Sequence, residues 1–219
     1  MPDRRKQGVF ISLEGLDGVG KSTQFDRLCR ALEARGWPVF TVREPGGTAI
    51  GEKVRSIVLD PANHEMAPAA EALLYAASRA QLVEERIRPA LAQGKLVLAD
   101  RYVDSSLAYQ GRGLGLGVGA VREVNGFATG GLLPDLTLLL DADPDRAMDH
   151  LTSARSSDRI ERRGPDYRRD VRREYLALAE ADPDRLKVID AGRGIDEVHQ
   201  DVLSAVLEFL KTRGRGVRA

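Results

Sequence analysis

The chain has one cysteine in 219 residues, Cys29, so neither a disulfide framework nor a cysteine-based zinc cluster is open to it. Cys29 falls on the inner face of a helical stretch, where a small buried thiol is expected rather than a reactive one. No apolar run approaches the roughly 18 residues that a membrane span needs. The opening MPDRRKQ lacks the apolar core of a signal peptide. Together these absences predict a cytoplasmic protein with no membrane partner. An excess of charge is missing too: Lys+Arg and Asp+Glu each number 33, so no global field draws nucleic acid or a lipid surface. No internal repeat and no composition shift marks a domain boundary. One α/β domain spanning residues 1–219 is therefore expected, large enough for a substantial core.

Against these absences, glycine is dense in one place. The stretch LEGLDGVGKST, residues 13–23, follows the apolar run Val9-Phe10-Ile11-Ser12-Leu13 and precedes Phe25, Leu28, Cys29 and Leu32 at helical spacing. Gly15, Gly20, Lys21 and Ser22 fit the pattern G-x-x-x-x-G-K-[ST] at a strand-to-helix turn. A helix N-terminus offers unpaired N–H groups and partial positive charge, and glycine lets the backbone curl around a phosphate. Lys21 brings a full charge to the outer phosphates, and the Ser22 hydroxyl is a ligand for Mg²⁺. This is the pattern of a nucleoside triphosphate site.

Strand and helix signals alternate along the chain. Strands are expected at 8–13, 38–43, 96–100, 135–141 and 186–190. Helices are expected near 21–35, 50–59, 67–93, 103–111, 118–128, 143–153, 165–181 and 194–212. Alternation of this kind gives a parallel sheet with right-handed crossovers and helices on both faces. KLVLAD and LTLLLD are nearly continuous apolar runs ending in aspartate, as central parallel strands require. The fold class is thus a three-layer α/β P-loop architecture on five parallel strands, with active residues at their carboxyl ends. In the 67–93 helix, apolar residues at 69, 70, 73, 74, 76, 77 and 80 cover more than one stripe, which predicts burial on two sides and a homodimer. The glycines at 111, 113, 115, 117 and 119 favour a loop. Eight arginines fall between 155 and 173, partly balanced by Asp158, Glu161, Asp166 and Asp170. A solvated face explains most of them, but not Arg155 and Arg159 beside two serines in an irregular stretch.

A P-loop leaves GTPases, transport ATPases, motors and small-molecule kinases open. Neither asparagine, Asn63 or Asn125, is followed by lysine, so the Asn-Lys-x-Asp segment that reads guanine is missing. In LVLADR the strand-end Asp100 is followed by Arg101 rather than by a glutamate that activates water. An arginine there suits a second phosphate-bearing substrate, and so a kinase.

Six segments in order, LEGLDGVGKST, VREPGGT, LLYAASRAQLVEE, ADRYVDSSLAYQG, GLLPDLTLLLD and SDRIE, make the chain resemble the bacterial thymidylate kinases over nearly its whole length. The resemblance implies phosphorylation of dTMP to dTDP with ATP and Mg²⁺, on the route to dTTP for DNA synthesis. It implies that Gly15, Leu16, Asp17, Gly18, Val19, Gly20, Lys21, Ser22 and Thr23 hold the ATP phosphates. Asp17 would accept the 3′-hydroxyl of dTMP, while Arg43 and Arg101 grip its phosphate. Tyr75 would stack on thymine, Arg79 and Ser106 would bond the base edge, and Tyr109 with Gln110 would wall the ribose C2′ position. Asp100 would support Mg²⁺ through water. Residues 16–19 read Leu-Asp-Gly-Val, with no base, so the chain resembles the members whose catalytic arginines, here Arg155 and Arg159, ride on a mobile lid at about 152–166. Another nucleoside monophosphate kinase, acting on dUMP or CMP, is the neighbouring alternative. A non-catalytic ATP-binding protein and a nucleic-acid binder using the basic lid and tail are the remaining ones.

Overall fold

A computed structural model describes residues 8–145 and 158–214. Five parallel strands form one sheet in the order β2-β3-β1-β4-β5: β1 Val9–Glu14, β2 Val39–Arg43, β3 Leu96–Asp100, β4 Leu136–Asp141 and β5 Leu186–Asp190. The central strand β1 is buried at all six positions, because helices cover both faces of the sheet. Continuous apolar sequence is what a strand so placed requires. Each expected strand is present, within one residue at either end.

The helices are α1 Lys21–Glu33, α2 Ala49–Leu59, α3 Pro68–Leu82, α4 Arg88–Ala92, α5 Val103–Ser106, α6 Val118–Thr129, α7 Pro165–Ala181 and α8 Ile195–Thr212. The single helix expected over 67–93 is interrupted by a π turn at Val83–Ile87. Pro89 explains it: without an N–H, and with its ring against the carbonyl four residues back, proline disturbs the regular ladder just ahead of it. A second π turn at Leu107–Gly113 carries helical winding into the stretch expected to be a loop from residue 111. A Cβ on Gly113 would lie 2.5 Å from the Tyr167 ring, so glycine here serves close packing rather than flexibility. The helix expected at 143–153 and the lid residues 152–157 lie outside the described residues, apart from 143–145.

Parallel register sets the site. Arg43 is level with Asp100, and Asp100 with Leu13, so β2 and β3 end side by side, one residue short of the end of β1. Cys29 is half-buried, and burial raises its thiol pKa. On the outer side, α3 packs on α2 and α6, yet Leu73 and Phe127 remain 57% and 93% exposed. The face of α3 expected to meet a second subunit is thus uncovered in the single chain.

Candidate active site

The glycine-rich turn leaves β1 through Gly15, whose φ is +140°. A Cβ there would fall 2.4 Å from the Leu140 carbonyl, so only glycine passes so close to β4. Leu16 and Val19 bury their side chains in the core, which leaves the loop's backbone to face a ligand. Gly20, in the left-handed region, starts α1 with no side-chain cap. The first N–H groups of α1 are therefore free to meet an anion. Lys21 is buried and donates from Nζ to the Leu16 carbonyl at 3.2 Å across the loop. Burial, and next the charge of Arg101, lower its pKa, partly offset by Asp17, Asp100 and Glu14. A polyanion arriving here relieves that cost. Ser22 and Thr23 follow in the exposed first turn.

Arg101 is the non-glycine residue with positive φ among the described residues, at +71°. Such a conformation persists where its surroundings over-determine it, and here they do. Its backbone N–H donates to the Leu13 carbonyl at 3.0 Å. Its guanidinium donates to the Gly15 carbonyl at 2.9 Å, Ser105 Oγ at 3.1 Å and Asp17 Oδ1 at 2.6 Å. Glu14 holds the turn from below. One of its oxygens accepts the Tyr102 N–H at 2.7 Å, and the other accepts the Ser105 and Tyr175 hydroxyls at 2.5 and 2.9 Å. Burial, and next the charge of Asp104, push the Glu14 carboxyl up to about 7. Asp17 behaves oppositely. Burial would raise it, but Arg101 and Lys21 outweigh that and bring it to about 2, so it stays a carboxylate at neutral pH. Tyr109 lies between the two, its hydroxyl 3.2 Å from Asp17 and 3.3 Å from Arg101.

Asp17, Arg101 and Tyr109 line a cavity of about 380 Å³, a size suited to a small ligand. Two groups line it: Lys21, Ser22, Arg43, Asp100 and Arg101, from the P-loop and the strand ends, and Tyr75, Arg79, Ser106 and Gln110, on α3 or bonded to it; they are termed its phosphate end and its base end. The structure thus brings together Asp17, Lys21, Ser22, Arg43, Tyr75, Arg79, Asp100, Arg101, Ser106, Tyr109 and Gln110. Asp100 Oδ1 is buried without a hydrogen-bond partner among the described residues, and Ser22 shares its cavity. An orphaned carboxylate oxygen near a hydroxyl fits a hydrated Mg²⁺, which takes few protein ligands and keeps several waters. Among the described residues no group of three acidic, His or Cys side chains forms a denser metal site.

Arg79 is held differently from the expectation of a group poised for a base. It is 1% exposed. It donates to Glu44 at 2.7 Å, Ser106 Oγ at 2.9 Å, the Tyr102 carbonyl at 3.1 Å and the side chain of Asn125. A second guanidinium nitrogen also contacts Glu44. Each of its three nitrogens is engaged within the protein, so as placed it reaches a base only by releasing a partner. Arg43 is exposed and pairs with Glu52 at 3.0 Å.

Arg159, expected to face the transferred phosphoryl group, instead points to α2 and α3. Its Nε donates to the Val58 carbonyl at 2.9 Å and its Nη2 to Glu71 at 2.5 Å. As placed it is an anchor, because a buried carboxylate has claimed its charge. Arg155 lies outside the described residues. Residues the sequence reading missed include Glu14, Glu44, Glu71, Asn125 and Arg55, which also lines the cavity and donates to the Pro45 carbonyl at 2.8 Å. Glu14 and Glu44 lie inside the segments LEGLDGVGKST and VREPGGT, and Glu71 lies four residues before Tyr75 and eight before Arg79 on one helix; Asn125 and Arg55 carried no such signal.

Residues 13–202 match the family model described as thymidylate kinase. The chain is 51% identical over 205 residues to a thymidylate kinase of Pelotomaculum thermopropionicum, covering 93% of this chain and 95% of that one. It is 50% identical over 202 residues to one from Deinococcus radiodurans, covering 92% and 98%. To one from Symbiobacterium thermophilum it is 49% identical over 208 residues, covering 95% and 97%.

Proposed function

The chain belongs to the thymidylate kinase family, and from that premise we propose that it transfers the γ-phosphoryl group of ATP to the phosphate of dTMP, giving ADP and dTDP for dTTP synthesis. The observation that carries this reading is one cavity of about 380 Å³ lined both by the P-loop and strand-end groups Lys21, Ser22, Arg43, Asp100 and Arg101 and by Tyr75 with the polar side chains of Ser106 and Gln110. Two polyanions meeting in line need positioning and positive charge more than an activated nucleophile. A phosphate oxygen of dTMP forms the new P–O bond as the bond from the γ-phosphorus to the bridging oxygen breaks, and ADP leaves with that electron pair. The acceptor phosphate is already an anion at neutral pH, so no general base is required.

In this reading the P-loop from Gly15 to Thr23 cradles the ATP phosphates, and Lys21 neutralises charge on the transferred group. Ser22 and Asp100 would hold Mg²⁺, Asp100 through water; bound there, the ion neutralises phosphate charge. Arg101 and Arg43 grip the dTMP phosphate, with Arg55 beside them. Asp17, ionised, accepts the 3′-hydroxyl. Tyr75 stacks on thymine, Ser106, Arg79 and Gln110 face its edge, and Tyr109 closes the ribose side. Gln110, expected beside Tyr109 at the ribose, is thus a base-edge residue in this reading. Arg155 supplies the second cation to the transferred group, while Arg159 anchors its segment.

A second copy of the chain would cover Leu73 and Phe127, the exposed apolar residues of the packed helices α3 and α6. Sedimentation of the wild-type protein and of a Leu73→Asp, Phe127→Asp variant tests this homodimer. No described helix is long and apolar enough to cross a membrane, and the site of action is proposed to be the cytoplasm, where ATP is supplied.

The experiment for the function is ADP formation against a panel of dTMP, dUMP, dCMP and CMP. Turnover should be greatest with dTMP, exceeding dUMP by about 10- to 200-fold in kcat/KM, the range open to one methyl group. ADP formation independent of any monophosphate would overturn the reading.

A further inference from the structure

Glu71 belongs to none of the segments that carry the family resemblance, yet it is fully buried beside the cavity. Four contacts converge on its carboxylate. Gln110 Nε2 donates to Oε1 at 2.9 Å, and Arg159 Nη2 to Oε2 at 2.5 Å. Arg163 donates to both oxygens, from Nη2 at 2.5 Å and from Nη1 at 3.3 Å. Burial works against the charge of Glu71, but the bonds from Arg163, Gln110 and Arg159 outweigh it and lower its pKa. Gln110 is itself buried and lines the cavity beside Tyr75 and Ser106.

We propose that Glu71 is a positioning residue that fixes the polarity of the Gln110 amide, so that its oxygen is the group offered to the base. The inference rests on the assignment of this cavity to a pyrimidine nucleotide made above. An ionised carboxylate only accepts hydrogen bonds, so the end of the Gln110 amide beside it has to be the NH₂. The reverse orientation would set oxygen against carboxylate in a buried site. The two arginines, which only donate, keep Glu71 in the form that enforces this choice. With its nitrogen tied to α3, Gln110 has a carbonyl acceptor left for the cavity. That acceptor suits a pyrimidine whose ring N3 carries a proton, as thymine does. Cytosine presents a lone pair there, and two acceptors would face each other. Discrimination at this edge comes from an acidic side chain that touches no part of the substrate.

The test compares dTMP with dCMP for the wild type, Glu71→Gln and Gln110→Leu, with kcat and KM for each and dTMP affinity from calorimetry. A neutral amide at position 71 meets either end of Gln110, so the polarity is no longer fixed. Glu71→Gln should lower the dTMP-over-dCMP ratio of kcat/KM by about tenfold or more, chiefly through KM, as lost ground-state binding does. Gln110→Leu should lower it at least as far, and keeps the proposal open to refutation if Glu71→Gln does not fold. A folded Glu71→Gln whose KM rises equally for both substrates would show a merely structural role and overturn the proposal. A Gln110→Leu enzyme with the full wild-type ratio would overturn it as well. Wild-type protein that fails to turn over dTMP would overturn the assignment of the cavity itself, a separate outcome.

Discussion

The phosphate end of the cavity and its base end are made in different ways. At the phosphate end, Lys21 and Ser22 open one helix, and Asp100 closes one strand with Arg101 just beyond it, so two short stretches supply much of the chemistry. Backbone geometry does most of the placing: a glycine turn with no room for a Cβ, and an arginine at positive φ. At the base end, Arg79 gathers Ser106, Glu44 and Asn125 from 27, 35 and 46 residues away, and Glu71 gathers Arg159 and Arg163 from 88 and 92. The first end can be damaged in function while the fold survives. The second is tied into the core, where damage reaches stability as well.

The sharpest break at the phosphate end is Lys21→Ala. Turnover should fall by about 10³- to 10⁵-fold, the scale of one cation on a transferred phosphoryl group, with the thermal midpoint nearly unchanged. Single-turnover kinetics beside calorimetric melting measures both; near-normal turnover in folded protein would remove the assignment. At the base end, Arg79→Met should lower stability as well as substrate binding. It leaves Glu44 buried without its partner, and a broken buried pair costs about 3 to 5 kcal/mol. Urea unfolding reads this directly, and a midpoint equal to wild type would mean that the network is not structural.

Glu14, buried beneath the Arg101 turn, gives a pH signature. Its folded-state pKa is raised to about 7 from an ordinary 4.5, so between these values the folded protein binds more protons than the unfolded chain. Its contribution to stability is therefore fully present below about pH 4.5 and is lost as pH rises to about 7. At about 1.4 kcal/mol per pKa unit, the loss amounts to roughly 3 kcal/mol. Glu14→Gln should flatten this part of the profile when urea midpoints are compared at pH 5 and pH 7.5. An identical pH slope in the variant would exclude Glu14 as its source.

The smallest effect is expected where the ends meet, at Tyr109. If its ring excludes the ribose 2′-hydroxyl by contact, Tyr109→Ala should lower the preference for dTMP over its ribonucleotide by about tenfold. Tyr109→Phe, which keeps the ring, should retain most of that preference. Equal discrimination by the alanine variant would transfer the role to another wall of the pocket.

What could be read without the structure followed from local rules. The five strands, the P-loop turn and the kinase chemistry at Asp100-Arg101 depend on neighbours within a few residues, where apolar runs, glycine spacing and helix periodicity express themselves in order along the chain. The π turns did not follow from hydrophobic period, since Pro89 and the Tyr167–Gly113 contact act on the hydrogen-bond ladder and on packing. The family resemblance placed Arg79 and Arg159 in the site but was silent on where their charges would be spent. That depended on which carboxylates the folded chain buries beside them. A buried Glu44 or Glu71 takes the nearest guanidinium because an unpaired charge in the core costs more than any contact it forgoes. Sequence by itself determined the sheet and the phosphate end; only tertiary structure decided the partners of the base end, because burial, a property of the whole fold, sets the strength of each charge.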